Sequence, residues 1–197
     1  MGFLIEHCSF SVLSQEHLSN CNPFDCGHKD LNDFFANDSH NYSRELLGKS
    51  YCFLLDDDPA QIVCAFTIAN DSIKTNFLPN NRKKKVNKDI PRVKQFRSYP
   101  AVLIGRLGVS THFKRKGIGY ELMDFIKSWF IDPENKTGCR FVVVDSYNEE
   151  IPLAFYSSNG FEFLFSTEEQ EKQYMGLPTD YELKTRLMYF DLIVLAE

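Results

Sequence analysis

The chain has 197 residues, of which 43% are hydrophobic, and its 27 acidic and 22 basic residues give a net charge of −5. This length and composition predict one domain over residues 1–197 with a full hydrophobic core, and exclude a disordered or fibrous chain. No apolar run approaches the roughly 18 residues of a membrane span, and the N-terminus lacks the pattern of a signal peptide. We therefore expect a cytoplasmic protein that does not enter a membrane.

The first half of the chain predicts a strand, a helical region and a hairpin. Residues 3–13 read as the first strand, and residues 22–46 as a turn followed by helical sequence. In that region Leu31, Phe34 and Phe35 follow the i, i+3, i+4 spacing of one helical face. Two β-rich runs, residues 50–58 and 61–71, predict a hairpin. A basic, insertion-like loop with short helical pieces is expected at about 76–99.

The second half predicts alternating strands and helices. Residues 101–109 have the composition of a central strand, and period-3.6 spacing of apolar residues begins at Gly119. Residues 139–147, 161–166 and 186–195 read as further strands. A short helix precedes Gly160, a residue type typical of helix C-termini, and residues 167–184 read as a polar connection. The order predicts a mixed α/β domain without repeated βαβ units.

Positive charge is concentrated in one part of the sequence. Residues 82–116 contain twelve Lys and Arg but a single acid, Asp89, so this segment has a net charge of +11 and the remainder −16. Such a local field favours an anionic ligand or partner over general nucleic-acid affinity. The residues that we consider for binding a polyanion are Arg82, Lys83, Lys84, Lys85 and Arg92, and a solvated loop is the competing interpretation.

A glycine-containing turn lies between the strand at 101–109 and the following helix. The first amides of a helix lack intrahelical partners, and the helix dipole favours negative charge there. Gly117 and Gly119 would allow the backbone to approach a ligand closely, and three basic residues precede them. The turn suits a pyrophosphate, although it matches neither the Rossmann nor the Walker glycine pattern. The basic residues are Lys114, Arg115 and Lys116.

Two segments resemble motifs of the GCN5-related N-acetyltransferases. Residues 114–119, Lys-Arg-Lys-Gly-Ile-Gly, resemble motif A, which wraps the pyrophosphate of acetyl-CoA, with Lys114 where the family usually has Gln or Arg. Residues 148–164 resemble motif B through Asn148, Phe155-Tyr156 and Gly160-Phe161. The resemblance implies a mostly antiparallel mixed sheet, flanked by helices, with a splay between its fourth and fifth strands. It implies an acetyl-CoA-dependent N-acetyltransferase.

The resemblance extends from Phe24 to Phe161. Over this range the chain resembles one branch of the superfamily, the bacterial toxins that acetylate the amino group of aminoacyl-tRNA. It implies charged tRNA as acceptor and a ribbon-helix-helix antitoxin as partner, with a homodimer as a further expectation. The acidic run at residues 56–58 departs from what a tRNA enzyme suggests. A small-molecule or protein amine, and a non-catalytic CoA-binding domain, therefore stay open as alternatives.

The resemblance also implies roles for individual residues. The backbone of Leu107, Gly108 and Val109 would contact the cofactor, and Tyr156 would protonate the departing thiolate. The cofactor's pyrophosphate would lie at residues 114–120, from Lys114 through Ile118 to Tyr120. Asn148 would bind the cofactor arm or cap the next helix.

No base is evident from the sequence. The strand at 101–109 has no Glu, which leaves Asp145 or Ser146 acting through water, or no base at all. The five histidines and six cysteines lack the spacing of a metal site, so we expect none.

Overall fold

The computed structural model describes residues 2–88, 90–91 and 97–196. Its strands are β1 Cys8–Val12, β2 Lys49–Leu55, β3 Asp58–Lys74, β4 Ser98–Val109, β5 Phe141–Tyr147, β6 Glu162–Phe163 and β7 Thr185–Asp191. The α-helices are α1 Phe3–His7, α2 Gln15–Asn20, α3 Lys29–Asp33, α4 Ser39–Arg44, α5 Asn80–Val86, α6 Ile118–Ile131, α7 Glu150–Ser158 and α8 Glu168–Met175. A π-helical segment, Phe34–Asp38, joins α3 to α4, and short 3₁₀ turns lie at Thr75–Phe77, Thr111–Phe113 and Leu192–Leu195.

The strands form one sheet in the order β1-β2-β3-β4-β5-β7-β6. Four neighbouring pairs are antiparallel: β1 with β2, β2 with β3, β5 with β7, and β6 with β7. The predicted fold class, a mostly antiparallel sheet flanked by helices, is therefore confirmed. The splay between the fourth and fifth strands stays a prediction.

The chain divides into two compact units, one of residues 1–69 and 104–129, the other of residues 70–103 and 130–197. The expectation of a single domain is not tested by this division. Each unit has its own packed core.

The first unit packs side chains on both faces of its strands. Successive strand residues point to opposite faces, so Cys52 joins a cluster with Phe35 of the π-helical segment, while its neighbour Phe53 meets Phe125 of α6 at a ring-centroid distance of 5.0 Å. The ring centroid of Phe10 in β1 lies 4.8 Å from that of Phe125 and 5.2 Å from that of Trp129. The apolar stripes predicted for both helical regions are therefore used in packing, one on each face.

The second unit has a core built around β5 and β7. Phe141, Val143 and Tyr189 are buried there, together with Tyr99 at the start of β4 and Phe165 after β6. Buried and exposed residues do not alternate along the first part of β5, because Phe141 through Val144 are all buried. This pattern is typical of a strand covered on both faces. This core supports the helix α7, which carries the tyrosine of the motif B resemblance.

Four predicted elements differ from the structure. Residues 3–7 form the helix α1 and not strand, because the amide of Leu4 donates to the Glu121 carboxylate of α6 at 2.9 Å. The strand expected at 161–166 is only two residues long, and the last strand ends at Asp191, where a 3₁₀ turn begins. The polar connection contains α8, whose N-terminus is capped by the Thr167 side chain accepting from the Gln170 amide.

Candidate active-site elements

The turn between β4 and α6 is open to solvent. After the 3₁₀ turn Thr111–Phe113, residues 114–117 are exposed, and Ile118 is buried as the first residue of α6. The amides of Tyr120 and Glu121 both donate to the Gly117 carbonyl, at 3.0 and 3.2 Å. The helical hydrogen bonds therefore begin at the Tyr120 amide. The turn leads directly into the N-terminus of a 14-residue helix, where the first amides have no intrahelical partner.

Two residues of this turn have left-handed backbone conformations. Gly117 has φ of +82°, and Arg115, which is not a glycine, has φ of +59°. A side chain in this region is strained, and such residues cluster where the backbone is shaped for a ligand. A Cβ built on Gly117 would meet no atom within 4 Å, so the space beside this residue is open. Backbone amides curled in this way form a concavity that suits an anion.

A loop from the preceding helical region lies against the first basic residue of the turn. A Cβ on Gly27 would be 3.0 Å from the Lys114 ammonium nitrogen, and the Asp25 carbonyl accepts from the Thr111 amide at 2.8 Å. The Asp25 carboxylate accepts from the Gly27 amide and from Asn32, each at 2.7 Å. These two hydrogen bonds, with the positive charge of Lys114, lower the pKa of Asp25.

The same loop packs against the strand that leads into the turn. A Cβ on Gly108 would lie 2.9 Å from the Cys26 Cβ and 3.3 Å from the Phe24 ring, so only glycine fits at this point of β4. Burial raises the pKa of the Cys26 thiol, which donates to the Asn32 side-chain oxygen at 3.1 Å. Sequence reasoning assigned no site role to Phe24 through Gly27. The available signal was the Asp-x-Gly spacing, typical of a turn closed by an aspartate side chain.

Tyr156 lies near the C-terminus of α7 in a Schellman motif. The Phe161 amide donates to the Tyr156 carbonyl and the Gly160 amide to the Ser157 carbonyl, both at 3.0 Å. Gly160 has φ of +81°, as the motif requires of the residue after the cap. The rings of Tyr156 and Phe161 lie 5.5 Å apart, which is the apolar contact that accompanies this motif. The predicted C-terminal role of Gly160 is confirmed.

The Tyr156 hydroxyl makes no hydrogen bond to the part of the protein that the structure describes. Its ring is held between Phe155, at a centroid distance of 5.2 Å, and Phe161. Burial raises the pKa of the phenol well above its usual value near 10, so the group is protonated throughout the neutral range. A fixed ring with a protonated, unbonded hydroxyl can donate a proton or a hydrogen bond.

The polar residues at the end of β5 have structural partners. The side-chain amide of Asn148 donates to the Glu168 carboxylate at 3.0 Å and to the Leu183 carbonyl at 2.9 Å. Helix α7 has Glu149 at its N-cap position, without a side-chain capping bond, so the capping alternative for Asn148 is wrong. Asp145 is exposed, whereas Ser146 is buried and donates to the Tyr147 carbonyl. A cofactor role for Asn148 stays a prediction.

The basic residues of α5 divide into two groups. The Arg82 guanidinium donates to the carbonyls of Phe163 and Leu164, and Lys85 forms an ion pair with Glu162 at 2.6 Å. Lys83 and Lys84 have no ion-pair partner among the residues that the structure describes, and Lys84 is exposed. Arg92 lies outside the described residues. The predicted polyanion site therefore contains two cations with internal partners and two without.

Neither a metal site nor a membrane helix is found within residues 2–88, 90–91 and 97–196. That part of the chain contains no group of three or more His, Cys, Asp or Glu arranged to hold a metal ion. None of its helices is long and apolar enough to cross a membrane. All six cysteines are free thiols.

The fold built by these elements is that of the GCN5-related N-acetyltransferases, and solved structures of toxins share it over almost the whole chain. AtaT complexed with acetyl-methionyl-tRNAfMet has a TM-score of 0.68 and 19% identity, with 95% of this chain and 96% of that chain covered. A tyrosine-to-phenylalanine mutant of KacT has a TM-score of 0.68 and 17% identity, with 96% of this chain and 98% of that chain covered. AtaTR bound with AcCoA has a TM-score of 0.66 and 17% identity, with 98% of this chain and 99% of that chain covered. No protein-family profile matches the sequence, and a search of curated proteins finds no match.

Proposed function

We propose that this protein is an acetyl-CoA-dependent N-acetyltransferase. The observation that carries the proposal is the turn at residues 114–117, where two left-handed residues lead into α6 and the three basic residues Lys114, Arg115 and Lys116 are exposed. This geometry fits a pyrophosphate, and AtaTR, which has the same fold, is bound with AcCoA. Acetyl-CoA, when bound, supplies the acetyl group as a thioester.

The residues of the turn would hold the cofactor by charge and by backbone. Lys114, Arg115 and Lys116 offset the negative charge of the phosphates, and the amides of Ile118 and Gly119 precede the first helical bond. Upstream, the backbone of residues 107–109 would contact the acetyl group and the pantetheine arm. Gly108 has no side chain, and the loop at Phe24 and Cys26 packs directly on β4 at this position.

Tyr156 would act as the acid. As the acceptor amine takes the acetyl group from the thioester, the Tyr156 hydroxyl would donate its proton to the departing thiolate, the proton released by the amine would pass to solvent, and a proton from solvent would restore the phenol. The raised pKa of Tyr156 keeps this proton in place at neutral pH, and its hydroxyl has no competing bond among the described residues. The Schellman contact with Phe161 fixes the ring without using the hydroxyl.

The acceptor that we favour is the α-amine of an aminoacyl-tRNA. AtaT, similar in fold, is complexed with acetyl-methionyl-tRNAfMet. The ester carbonyl lowers the pKa of such an amine, so the reaction does not require a strong base, and β4 contains no Glu to supply one. Asp145 and Ser146 are the remaining candidates for a relay through water. Lys83 and Lys84 are the cations of α5 that would contact the tRNA backbone.

A small-molecule or protein amine is the second candidate, and one observation favours it. Arg82 and Lys85 have partners within the protein, which halves the basic face that α5 offers to a polyanion. A non-catalytic CoA-binding domain is less well supported, because such a domain has no need of an unbonded tyrosine hydroxyl. AtaT is also solved with the C-terminus of the antitoxin AtaR, so we include an antitoxin among the proposed partners and the cytoplasm as the site of action.

Acetylation of charged tRNA, measured against a panel of free amines with labelled acetyl-CoA, tests the proposal. Transfer to aminoacyl-tRNA above all other amines supports the favoured acceptor, and transfer only to free or protein amines supports the second candidate. Binding of acetyl-CoA without transfer to any amine supports the non-catalytic domain. Absence of acetyl-CoA binding by calorimetry would overturn the proposal as a whole.

A further inference from the structure

The side chain of Asn32 in α3 bonds to two residues of the loop that precedes this helix. Its amide group donates to the Asp25 carboxylate at 2.7 Å, and its oxygen accepts from the Cys26 amide at 2.8 Å and from the Cys26 thiol at 3.1 Å. The donor end and the acceptor end of one planar group are therefore both used on neighbouring residues. Because the two ends are not interchangeable, these bonds favour a single conformation of the loop.

The two residues that Asn32 holds contact different parts of the proposed cofactor site. The Asp25 carbonyl accepts from the Thr111 amide at 2.8 Å, at the start of the 3₁₀ turn that follows β4. Cys26 lies against β4 itself, since a Cβ on Gly108 would be 2.9 Å from the Cys26 Cβ. The loop therefore contacts the chain on both sides of the point where β4 ends.

Gly27, the next residue of the loop, leaves space for the Lys114 side chain. It has φ of +72°, in the left-handed region that glycine adopts without strain. A Cβ there would stand 3.0 Å from the Lys114 ammonium nitrogen and 3.4 Å from a Thr111 side-chain carbon. The Asp25 carboxylate accepts from the Gly27 amide at 2.7 Å and lies within electrostatic range of Lys114. The loop thus limits the positions that this ammonium group can take.

Confinement of Lys114 has a consequence for phosphate binding. A lysine side chain exposed to solvent moves among many rotamers, and it loses most of that freedom when it contacts a ligand. Lys114 is exposed at the first position of the turn proposed for the pyrophosphate. An ammonium group that is already held in place loses less entropy on binding, which is the general advantage of preorganisation. Loosening the loop should therefore weaken cofactor binding even if no loop residue touches the cofactor.

We infer that Asn32 is a positioning residue of the cofactor site, which through Asp25 and Gly27 holds Lys114 in place to contact the pyrophosphate. The inference rests on the proposed function, since it concerns the binding of the cofactor of that reaction. A purely structural role for the same bonds would change folding stability alone. The positioning role requires a loss of acetyl-CoA affinity that lies mainly in its electrostatic part.

Asn32→Leu removes the bonds to Asp25 and Cys26 with little change in side-chain volume. It should weaken acetyl-CoA binding about tenfold, which corresponds to the loss of roughly one hydrogen bond. Salt screens attraction between exposed charges. The variant, with its Lys114 contact weakened, should therefore lose less affinity than wild type when calorimetry is repeated at high salt. A variant that had only lost part of its folded fraction would be weakened equally at every salt concentration.

Asn37 provides a matched control on the π-helical segment. It is exposed, and its side-chain amide donates to the Asp33 carboxylate at 2.8 Å, so Asn37→Leu removes a comparable bond that does not involve the loop. This variant should bind acetyl-CoA as wild type does, with the same salt dependence. In turnover assays Asn32→Leu should raise KM for acetyl-CoA and leave kcat close to wild type, because the pyrophosphate is remote from the reacting thioester.

The isosteric variant Asn32→Asp tests the same bond if Asn32→Leu does not fold by circular dichroism. It places a second carboxylate against that of Asp25 at a site where the atoms are 2.7 Å apart. The two like charges repel near neutral pH and raise the pKa of one carboxyl group, and a proton shared between them restores a bond as pH falls. The loss of acetyl-CoA affinity relative to wild type should therefore be smaller at pH 5.5 than at pH 7.5.

Two references isolate this pH effect. Wild type measured at both pH values corrects for titration of the cofactor phosphates and of His112, which with Lys114 acts on the Asp25 carboxylate. Asn37→Asp creates the same pair of carboxylates with Asp33, outside the loop, and should keep wild-type affinity at both pH values.

Wild-type affinity in the folded Asn32→Leu variant would overturn the inference, as would a loss of equal size at low and high salt. For Asn32→Asp, a loss of equal size at both pH values would overturn it. An equal loss in the matching Asn37 variant would do so as well. Failure of wild type to bind acetyl-CoA would instead reject the proposed function, and the inference with it. The two kinds of failure are distinguishable because the wild-type chain is measured first.

Discussion

Tyr156 and Phe161 lie ring to ring, 5.5 Å apart, across the C-terminal turn of α7. The contact is part of a Schellman motif in which the Phe161 amide donates to the Tyr156 carbonyl. The ring and backbone of Tyr156 therefore have a structural role that is separable from its hydroxyl. This separation allows the proposed acid to be tested without disturbing the helix end.

Tyr156→Phe should lower turnover on the order of 10²–10⁴-fold while acetyl-CoA affinity and thermal stability stay close to wild type. The ring contact with Phe161 is kept, and only the hydroxyl is lost. Single-turnover acetylation and calorimetry measure the two effects. Tyr181→Phe, an exposed tyrosine in the second unit, is the control and should be fully active. Turnover of Tyr156→Phe within about twofold of wild type, with chemistry rate-limiting, would refute the acid role.

Gly117→Val should strongly weaken acetyl-CoA binding. The φ of +82° disfavours any side chain, at a cost of about 1–2 kcal/mol, and the new side chain would enter the open space proposed for the pyrophosphate. Adding Gly119→Val should remove any residual binding. Gly138→Ala is the control, because that glycine is exposed, has no positive φ and would meet no atom within 4 Å. A folded Gly117→Val variant with wild-type affinity in calorimetry would show that the cofactor binds elsewhere.

Neutralising Lys83 and Lys84 together should weaken binding of charged tRNA and flatten its salt dependence. Each phosphate contact that is lost should reduce the log–log slope by about 0.7–0.9. Filter binding across a salt series measures the slope. Lys85→Gln is the comparison, because its ammonium pairs with Glu162, and we expect it to change the slope less.

Acetyl-CoA affinity of the Lys83 and Lys84 variant should be unchanged, since the proposed pyrophosphate turn lies at residues 114–117. An unchanged tRNA affinity and slope in the double variant would remove α5 from the proposed tRNA interface. The small-molecule or protein amine would then become the favoured acceptor.

Arg186→Met should destabilise the protein by about 3–5 kcal/mol near neutral pH. Glu171 is fully buried and bonds to the Arg186 guanidinium at 2.7 Å and to the Leu187 amide at 2.6 Å. Burial already raises the pKa of Glu171, and loss of the cation would raise it further. A raised pKa in the folded state means that the folded protein binds more protons than the unfolded chain, so stability recovers as pH falls toward the unfolded pKa.

Urea unfolding of the Arg186→Met variant at pH 7.5 and pH 5 measures this recovery. The double variant Glu171→Leu with Arg186→Met should be more stable than Arg186→Met alone, since it leaves no unpaired buried charge. A stability deficit of equal size at both pH values in the single variant would show that the buried carboxylate is not its cause.

Local patterns in the sequence were sufficient to predict the main secondary-structure elements around the candidate site. The apolar spacing after Gly119 predicted α6, and the glycines of the turn predicted a backbone that curls before it. Gly160 predicted the end of α7, because a left-handed residue is required at that position of the helix terminus. These features depend on residues within a few positions of each other, so backbone geometry and hydrophobic period determine them without knowledge of the tertiary fold.

Tertiary structure decided the features that depend on distant partners. The sequence treated Arg82, Lys83, Lys84 and Lys85 alike, and only the position of residues 162–164 beside α5 divides them into bonded and unbonded cations. Residues 3–7 became helix because Glu121, more than a hundred positions later, accepts from the Leu4 amide. The Asn148 side-chain amide likewise donates hydrogen bonds to Glu168 and to the Leu183 carbonyl, both distant in the sequence. Hydrogen bonds and ion pairs act over a few ångströms in space, and a single sequence does not contain those distances.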